Sequence, residues 1–168
     1  MDLRLAEKSD LPQLKTMYEK IIDNMNKNNI QIWDEIYPCE FFQADIENKS
    51  LYLLAEGNDI VAAFVLCEPN NKSGDPLKWK SIKEKALYID RLGVNVNYLR
   101  QGIGGVMLKN AMELAKRKNA EYLRLFVVDI NKPAINLYLK NGFKRVDGIY
   151  EERIDDFILR EYGFEIKI

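Results

Sequence analysis

Apolar positions change period several times along this chain, and each change marks an element. Leu3 and Leu5 alternate with polar neighbours over Asp2–Glu7, the pattern of a short edge strand. From Leu11 the spacing lengthens. Leu11, Leu14, Met17, Ile21, Ile22 and Met25 recur at helical steps and predict an amphipathic helix facing a core, with Ser9 at its N-cap and Pro12 in its first turn. Lys27-Asn28-Asn29 ends that helix. An aromatic and acidic connection, Ile30 to Pro38, then leads to a shorter helix near Glu40–Glu47. Leu51–Ala55 and Ile60–Cys67 are apolar runs of strand length. Glu56-Gly57-Asn58-Asp59 joins them as a tight hairpin turn, with glycine and asparagine supplying positive φ.

Pro69 to Pro76 reads as a surface loop, and Trp79 with the charged Lys80–Lys85 leads back into a strand at Ala86. That strand runs into the glycine-rich Gly102-Ile103-Gly104-Gly105, after which Ile103, Val106, Met107, Met112, Leu114 and Ala115 make one side of a helix apolar. Lys116-Arg117-Lys118 complements the C-terminal end of its dipole. Tyr122–Val128 is a further strand, and Asn131 and Gly142 delimit the next helix as N-cap and C′ residue. Phe143–Ile149 and Phe157–Ile168 are expected to form a final antiparallel pair separated by an acidic turn at Glu151–Asp156. Antiparallel strands followed by a β-loop-α-β-α unit give an α+β (mixed α/β) class with a central sheet, expected as a single domain over residues 1–168.

The loop between strand and helix is the first candidate for chemistry. Glycine lets the backbone turn tightly and approach a ligand, and the N–H groups of a first helical turn have no intrahelical partner. Together they make an anion site, most naturally for phosphate. A Walker A loop would need Gly-Lys-Ser/Thr, whereas this chain reads Gly105-Val106-Met107. The third glycine of a dinucleotide fingerprint is also out of place.

Composition narrows the partners. The 168 residues are 47% hydrophobic, enough for one substantial core, and 25 Lys+Arg against 26 Asp+Glu leave a net charge of −1. No global basic field is available for nucleic acid or an anionic membrane, and no apolar run reaches membrane-spanning length. Cys39 and Cys67 are too few for a disulfide scaffold or a zinc site, and Met1-Asp2-Leu3-Arg4 lacks the apolar core of a signal peptide; a cytoplasmic location is expected. The absence of histidine removes the commonest general base and most metal constellations, so no metal is expected.

The glycine loop, with Asn131-Lys132-Pro133-Ala134-Ile135-Asn136-Leu137-Tyr138-Leu139-Lys140-Asn141-Gly142-Phe143 after the second strand, resembles the GNAT family of acyl-CoA-dependent N-acetyltransferases. One departure is Leu99 at the first loop position, where the family carries Arg or Gln. The resemblance implies a mostly antiparallel central sheet with a splayed parallel strand pair, flanked by about four helices. It implies acetyl-CoA as cosubstrate, with the pantetheine arm on the backbone of Leu92, Gly93 and Val94. The pyrophosphate would lie on the N–H groups of the Leu99, Arg100, Gln101, Gly102, Ile103, Gly104 and Gly105 loop. Asn131 and Ala134 would lie beside the pantetheine, and Tyr138 would protonate the departing thiolate. The implied reaction is direct attack of a neutral amine on the thioester through a tetrahedral intermediate.

The resemblance implies an amine acceptor, small-molecule or peptide, without identifying it, and a homodimer is left open. Trp33 and Tyr37 bracket Asp34 and Glu35 and are candidates for an acceptor pocket, or else merely cover the sheet. Without histidine, the ammonium proton leaves to a carboxylate, to a tyrosine, or to solvent before binding. Asp90 stands in the middle of Leu87-Tyr88-Ile89-Asp90-Arg91-Leu92, where a charge must be paired, hydrated or neutral. It is the candidate base, with Asp34 and Glu35 behind it; the competing reading is a structural ion pair with an arginine such as Arg91. The functional alternative is a non-catalytic acyl-CoA-binding regulatory module, and a second is an unrelated phosphate-binding α/β protein.

Overall fold

The computed structural model describes residues 1–69 and 76–168, so most of the loop expected between Pro69 and Pro76 lies outside the described residues. Two units form, each discontinuous in sequence: residues 1–66 with 90–110, and residues 67–89 with 111–168.

In the first unit, β1 (Asp2–Leu5) leads to α1 (Leu11–Lys27), which buries Leu14, Met17, Tyr18 and Ile21 along one stripe. The N-cap is Asp10 rather than Ser9, which falls inside a 3₁₀ turn at Lys8–Asp10. The Asp10 carboxylate is occupied elsewhere: it takes two hydrogen bonds from the Arg4 guanidinium, both at 2.8 Å, and one from the Glu7 amide at 2.7 Å, and makes none to α1. α1 ends at Asn28, with Asn29 at φ 60°. A 3₁₀ turn at Cys39–Phe41 precedes α2 (Phe42–Glu47), whose buried residues are Phe42 and Asp45. β2 (Leu51–Glu56) pairs antiparallel with β1 and with β3 (Asp59–Cys67), in registers such as Leu3 with Leu54 and Leu53 with Ala63. Leu51–Leu54 and Ile60–Leu66 are buried throughout, which is why these strands read as continuous apolar runs. Gly57, at φ 58°, supplies the positive φ of their turn, and Asn58 does not share it. The second half of β4 (Ala86–Val94) and the start of α3 (Ile103–Arg117) complete the unit.

In the second unit, the first half of β4 runs parallel to β5 (Tyr122–Val128), with Ala86–Tyr88 opposite Tyr122–Arg124. α4 (Lys132–Lys140) follows, then β6 (Lys144–Arg145), β7 (Tyr150–Ile154) and β8 (Phe157–Lys167). β8 pairs antiparallel with β5 from Tyr122 opposite Lys167 to Val128 opposite Glu161, and also with β6 and β7. The expected acidic turn is therefore mostly strand. Glu151, Glu152 and Arg153 belong to β7, and the hairpin closes at Asp155, whose φ is 50°. Gly148, at φ 101°, breaks the run expected from Phe143 to Ile149 between β6 and β7. A Cβ on Gly163 of β8 would stand 2.7 Å from Trp79 Cη2 and 2.8 Å from Leu77 Cδ1, so this position requires glycine for close packing.

The fold is mixed α/β, with mostly antiparallel strands, the one parallel pair β4–β5 and four α-helices among the described residues. No helix among them is long and apolar enough to cross a membrane.

Candidate functional site

The second half of β4 departs from regular strand geometry at Arg91, whose φ of 52° is left-handed and costs a non-glycine residue about 1–2 kcal/mol. Contacts on both its main chain and its side chain hold it there. The Tyr18 hydroxyl, on a fully buried ring of α1, donates to the Arg91 carbonyl at 2.5 Å. The guanidinium donates to both oxygens of Asp45 in α2, at 2.6 and 2.9 Å, the bidentate geometry that suits arginine best. It also reaches Asp90 Oδ2 at 3.3 Å and the Tyr37 hydroxyl at 3.4 Å, and lies 5.4 Å from the centre of the Phe41 ring. Asp90 Oδ1 accepts from the Tyr37 hydroxyl at 3.2 Å and from the Arg91 amide at 3.0 Å.

Exposure sorts this cluster. The side chains of Arg91 and Asp45 are 10% and 9% exposed, that of Asp90 39%. Two carboxylates against one guanidinium leave an excess negative charge, and Asp90 is the carboxylate that reaches solvent. Burial pushes the Tyr37 phenol well above its ordinary range, and the Asp90 charge pushes it further, so Tyr37 is a hydrogen-bond donor at neutral pH. Burial works against the charge of Arg91, but Asp90 and Asp45 outweigh it and hold the guanidinium protonated. Burial also raises the Asp45 carboxyl, against the pull of Arg91.

The other residues of the connection before α2 are placed differently. The Trp33 ring lies 5.7 Å from that of Tyr18. Asp34 Oδ1 accepts from the amides of Ile36 and Tyr37, both at 2.8 Å, closing its own turn, and Glu35 is exposed. Tyr37 is the member that meets Asp90.

Leu92 and Val94 are half-buried and Gly93 is buried. Asn95 anchors the exit from β4: its amide donates to Val61 O at 2.8 Å and its side chain to Ile60 O at 2.9 Å. Beyond the turn at Val96–Tyr98 come Leu99, Arg100 and Gln101, all exposed, with Arg100 at φ 61° and Gly102 at φ 75°. A Cβ on Gly102 would meet nothing within 4 Å. Ile103 is buried, while Gly104 and Gly105 are half-buried in the first turn of α3. An open glycine loop whose backbone turns left-handed twice before a long helix suits an anion.

In the second unit, the Asn131 side chain accepts from the Ala134 amide at 3.3 Å, capping α4 as its spacing predicts. Ala134 is half-buried. Tyr138 is 7% exposed, with its ring 5.9 Å from Phe143 and 6.1 Å from Phe164. Gly142, at φ 89°, follows the helix as expected. No group of three or more metal-ligating side chains occurs among the described residues.

Two members of the first unit's cluster were not evident from sequence. Tyr18 lies on the α1 stripe, four residues after Leu14 and three before Ile21, so its position marks it as buried but not its partner. Asp45 lies three residues after buried Phe42, a carboxylate on an apolar face that demands a buried cation.

The model of the Acetyltransferase (GNAT) family matches residues 15–143. A Drosophila melanogaster protein, "Probable N-acetyltransferase san", is 33% identical over 127 residues, 75% of this chain and 64% of the fly protein, so the chain spans less than two thirds of that relative's length. An N-alpha-acetyltransferase of Sulfurisphaera tokodaii is 31% identical over 149 residues, 87% of this chain and 88% of that protein. The structure of Salmonella typhimurium yncA, solved with its cofactor acetyl-CoA, matches with a TM-score of 0.72 over 99% of this chain and 93% of that one; at 13% identity the likeness is one of fold.

Proposed function

Because the chain belongs to the GNAT family of acetyltransferases, we propose that it moves an acetyl group from acetyl-CoA to a primary amine by direct transfer. The observation that carries this reading is the arrangement on β4: a solvent-reaching carboxylate, Asp90, stands two residues before Leu92-Gly93-Val94, and the same unit continues into an open glycine loop. In this reading the backbone of Leu92–Val94 pairs with the pantetheine arm, and the amides of Arg100–Gly105 receive the pyrophosphate.

The amine nitrogen attacks the thioester carbonyl, the C–N bond forms, and charge collects on the carbonyl oxygen, where the backbone N–H at Val94 stabilises it. Collapse breaks the C–S bond. Tyr138 donates a proton to the thiolate, and the proton lost by nitrogen passes to Asp90, directly or through water. The excess negative charge of the Asp45–Arg91–Asp90 group favours a cationic amine at Asp90, held as ammonium before it loses its proton. Tyr37, protonated beside Asp90, orients the carboxylate. Substrates of this kind include the N-terminal amines implied by the name of the Sulfurisphaera relative.

Two measurements test the reading. Acetyl-CoA at a hundredfold excess over its dissociation constant stabilises a protein that binds it only when folded by about 2.7 kcal/mol, a clear melting shift, whereas ADP shifts it less. With a reactive amine that turns over, Asp90→Asn loses activity at neutral pH and partly recovers it as the amine deprotonates in alkaline buffer. No melting shift with acetyl-CoA excludes the transferase reading. A wild-type pH profile for Asp90→Asn removes Asp90 as base.

A further inference from the structure

The Tyr18 hydroxyl has no part in the chemistry above, yet it hydrogen-bonds the backbone of the strand that carries it. Its ring is fully buried, and burial pushes its pKa well above the ordinary phenol range, so the proton it donates to Arg91 O at 2.5 Å stays in place across working pH. In a trans peptide the C=O and N–H point to opposite sides. By holding the Arg91 carbonyl, Tyr18 therefore turns the Leu92 N–H away from α1. Gly93 permits the contact: a Cβ there would stand 2.9 Å from Tyr18 Cζ and 2.9 Å from its hydroxyl oxygen, closer than side chains pack. The Arg91 side chain is fixed independently by Asp45, at 2.6 and 2.9 Å.

We propose that Tyr18 is a positioning residue: with Asp45 it clamps Arg91 in its left-handed conformation and so sets the direction of the Leu92–Val94 peptides that receive the acyl thioester. This rests on the acetyl-CoA reading above. A regular strand at Arg91 would rotate the following peptides, and the strain of φ 52° persists only because both contacts oppose its release. Loss of the hydroxyl frees the carbonyl to relax, while the ring, packed at 4.7 Å from Phe42, still fills its space.

The test compares wild type, Tyr18→Phe and Gly93→Ala, with Leu53→Val as a control that loses one buried methylene elsewhere in the unit. Amide NMR spectra of the ligand-free proteins and titrations with acetyl-CoA and ADP are recorded for each. In Tyr18→Phe the Leu92 and Gly93 amides move more than the other amides of β4, and acetyl-CoA affinity falls about tenfold while ADP affinity stays at the wild-type value. Gly93→Ala, which presses the ring away from the other side, moves the Leu92 amide too and weakens acetyl-CoA more than ADP; Leu53→Val does neither. Unmoved Leu92 and Gly93 amides in Tyr18→Phe, or equal losses for acetyl-CoA and ADP, overturn the clamp. Wild-type protein that binds no acetyl-CoA overturns the transferase reading instead, and the ligand-free spectra still decide whether Tyr18 sets the backbone at Leu92.

Discussion

Glu165→Gln in the second unit measures how much of that unit depends on one buried charge pair. The side chains of Arg124 and Glu165 are 6% and 8% exposed and meet at 2.9 Å. Glu165 Oε1 also accepts from the Lys80 amide at 2.9 Å, the Arg124 guanidinium donates to Ser81 O, and it lies 5.0 Å from the centre of the Trp79 ring. Glutamine keeps the shape and the Lys80 bond but removes the charge, leaving a guanidinium buried without its counter-ion. Breaking a buried pair from one side costs about 3–5 kcal/mol, and the retained hydrogen bond puts this substitution near the lower figure. For a chain of this length about 3 kcal/mol corresponds to a melting loss of about 6–12 °C. Arg124→Met added to Glu165→Gln removes the orphaned charge and restores most of the loss, so a double-mutant cycle gives a coupling of at least about 2 kcal/mol. Urea unfolding followed by tryptophan fluorescence reads all four proteins, since Trp79 packs against the pair. A cost for Glu165→Gln under about 0.5 kcal/mol, or no coupling, would show that solvent screens the pair and would refute the argument.

Three further outcomes follow from single contacts. Arg4 holds the Asp10 carboxyl below its ordinary range, so its contribution is present above the unfolded carboxyl pKa and lost as pH falls through the folded one; Asp10→Asn destabilises at neutral pH, and the difference from wild type closes in acid unfolding curves. Gly163→Ala drives a methyl group into Trp79 and Leu77 and lowers stability by about 1–3 kcal/mol in urea titration. Tyr138→Phe keeps the ring between Phe143 and Phe164 and removes the proposed acid, so the turnover number falls by roughly 10² to 10⁴ with little change in acetyl-CoA affinity.

Sequence disclosed those parts of the fold whose signals are local. Tyr122–Val128 is bounded by the breaks on either side of it, and α4 by Asn131 and Gly142, so their ends were legible to the residue. β7 was not, because its residues are exposed almost throughout and carry no alternation to read. The same division holds at the site. Asp90 is conspicuous as a charge within an apolar run, and the glycine loop as a loop. The pairing of Arg91 with Asp45 spans 46 residues, and only the folded chain brings α2 against β4. The left-handed φ of Arg91 follows from contacts with residues 18 and 45, which no property of arginine announces.

The turn at Asp34–Ile36 is closed by its own backbone and by the Asp34 carboxylate, and its three residues are exposed. The clamp on Arg91 is supplied from either side of it, by α1 and α2. Substitutions at Glu35 and Ile36 are therefore free to accumulate without disturbing the strand that carries Asp90. Descendants of this chain can diverge at that turn while inheriting the same strand unchanged, which makes the turn the place to look first for differences between lineages.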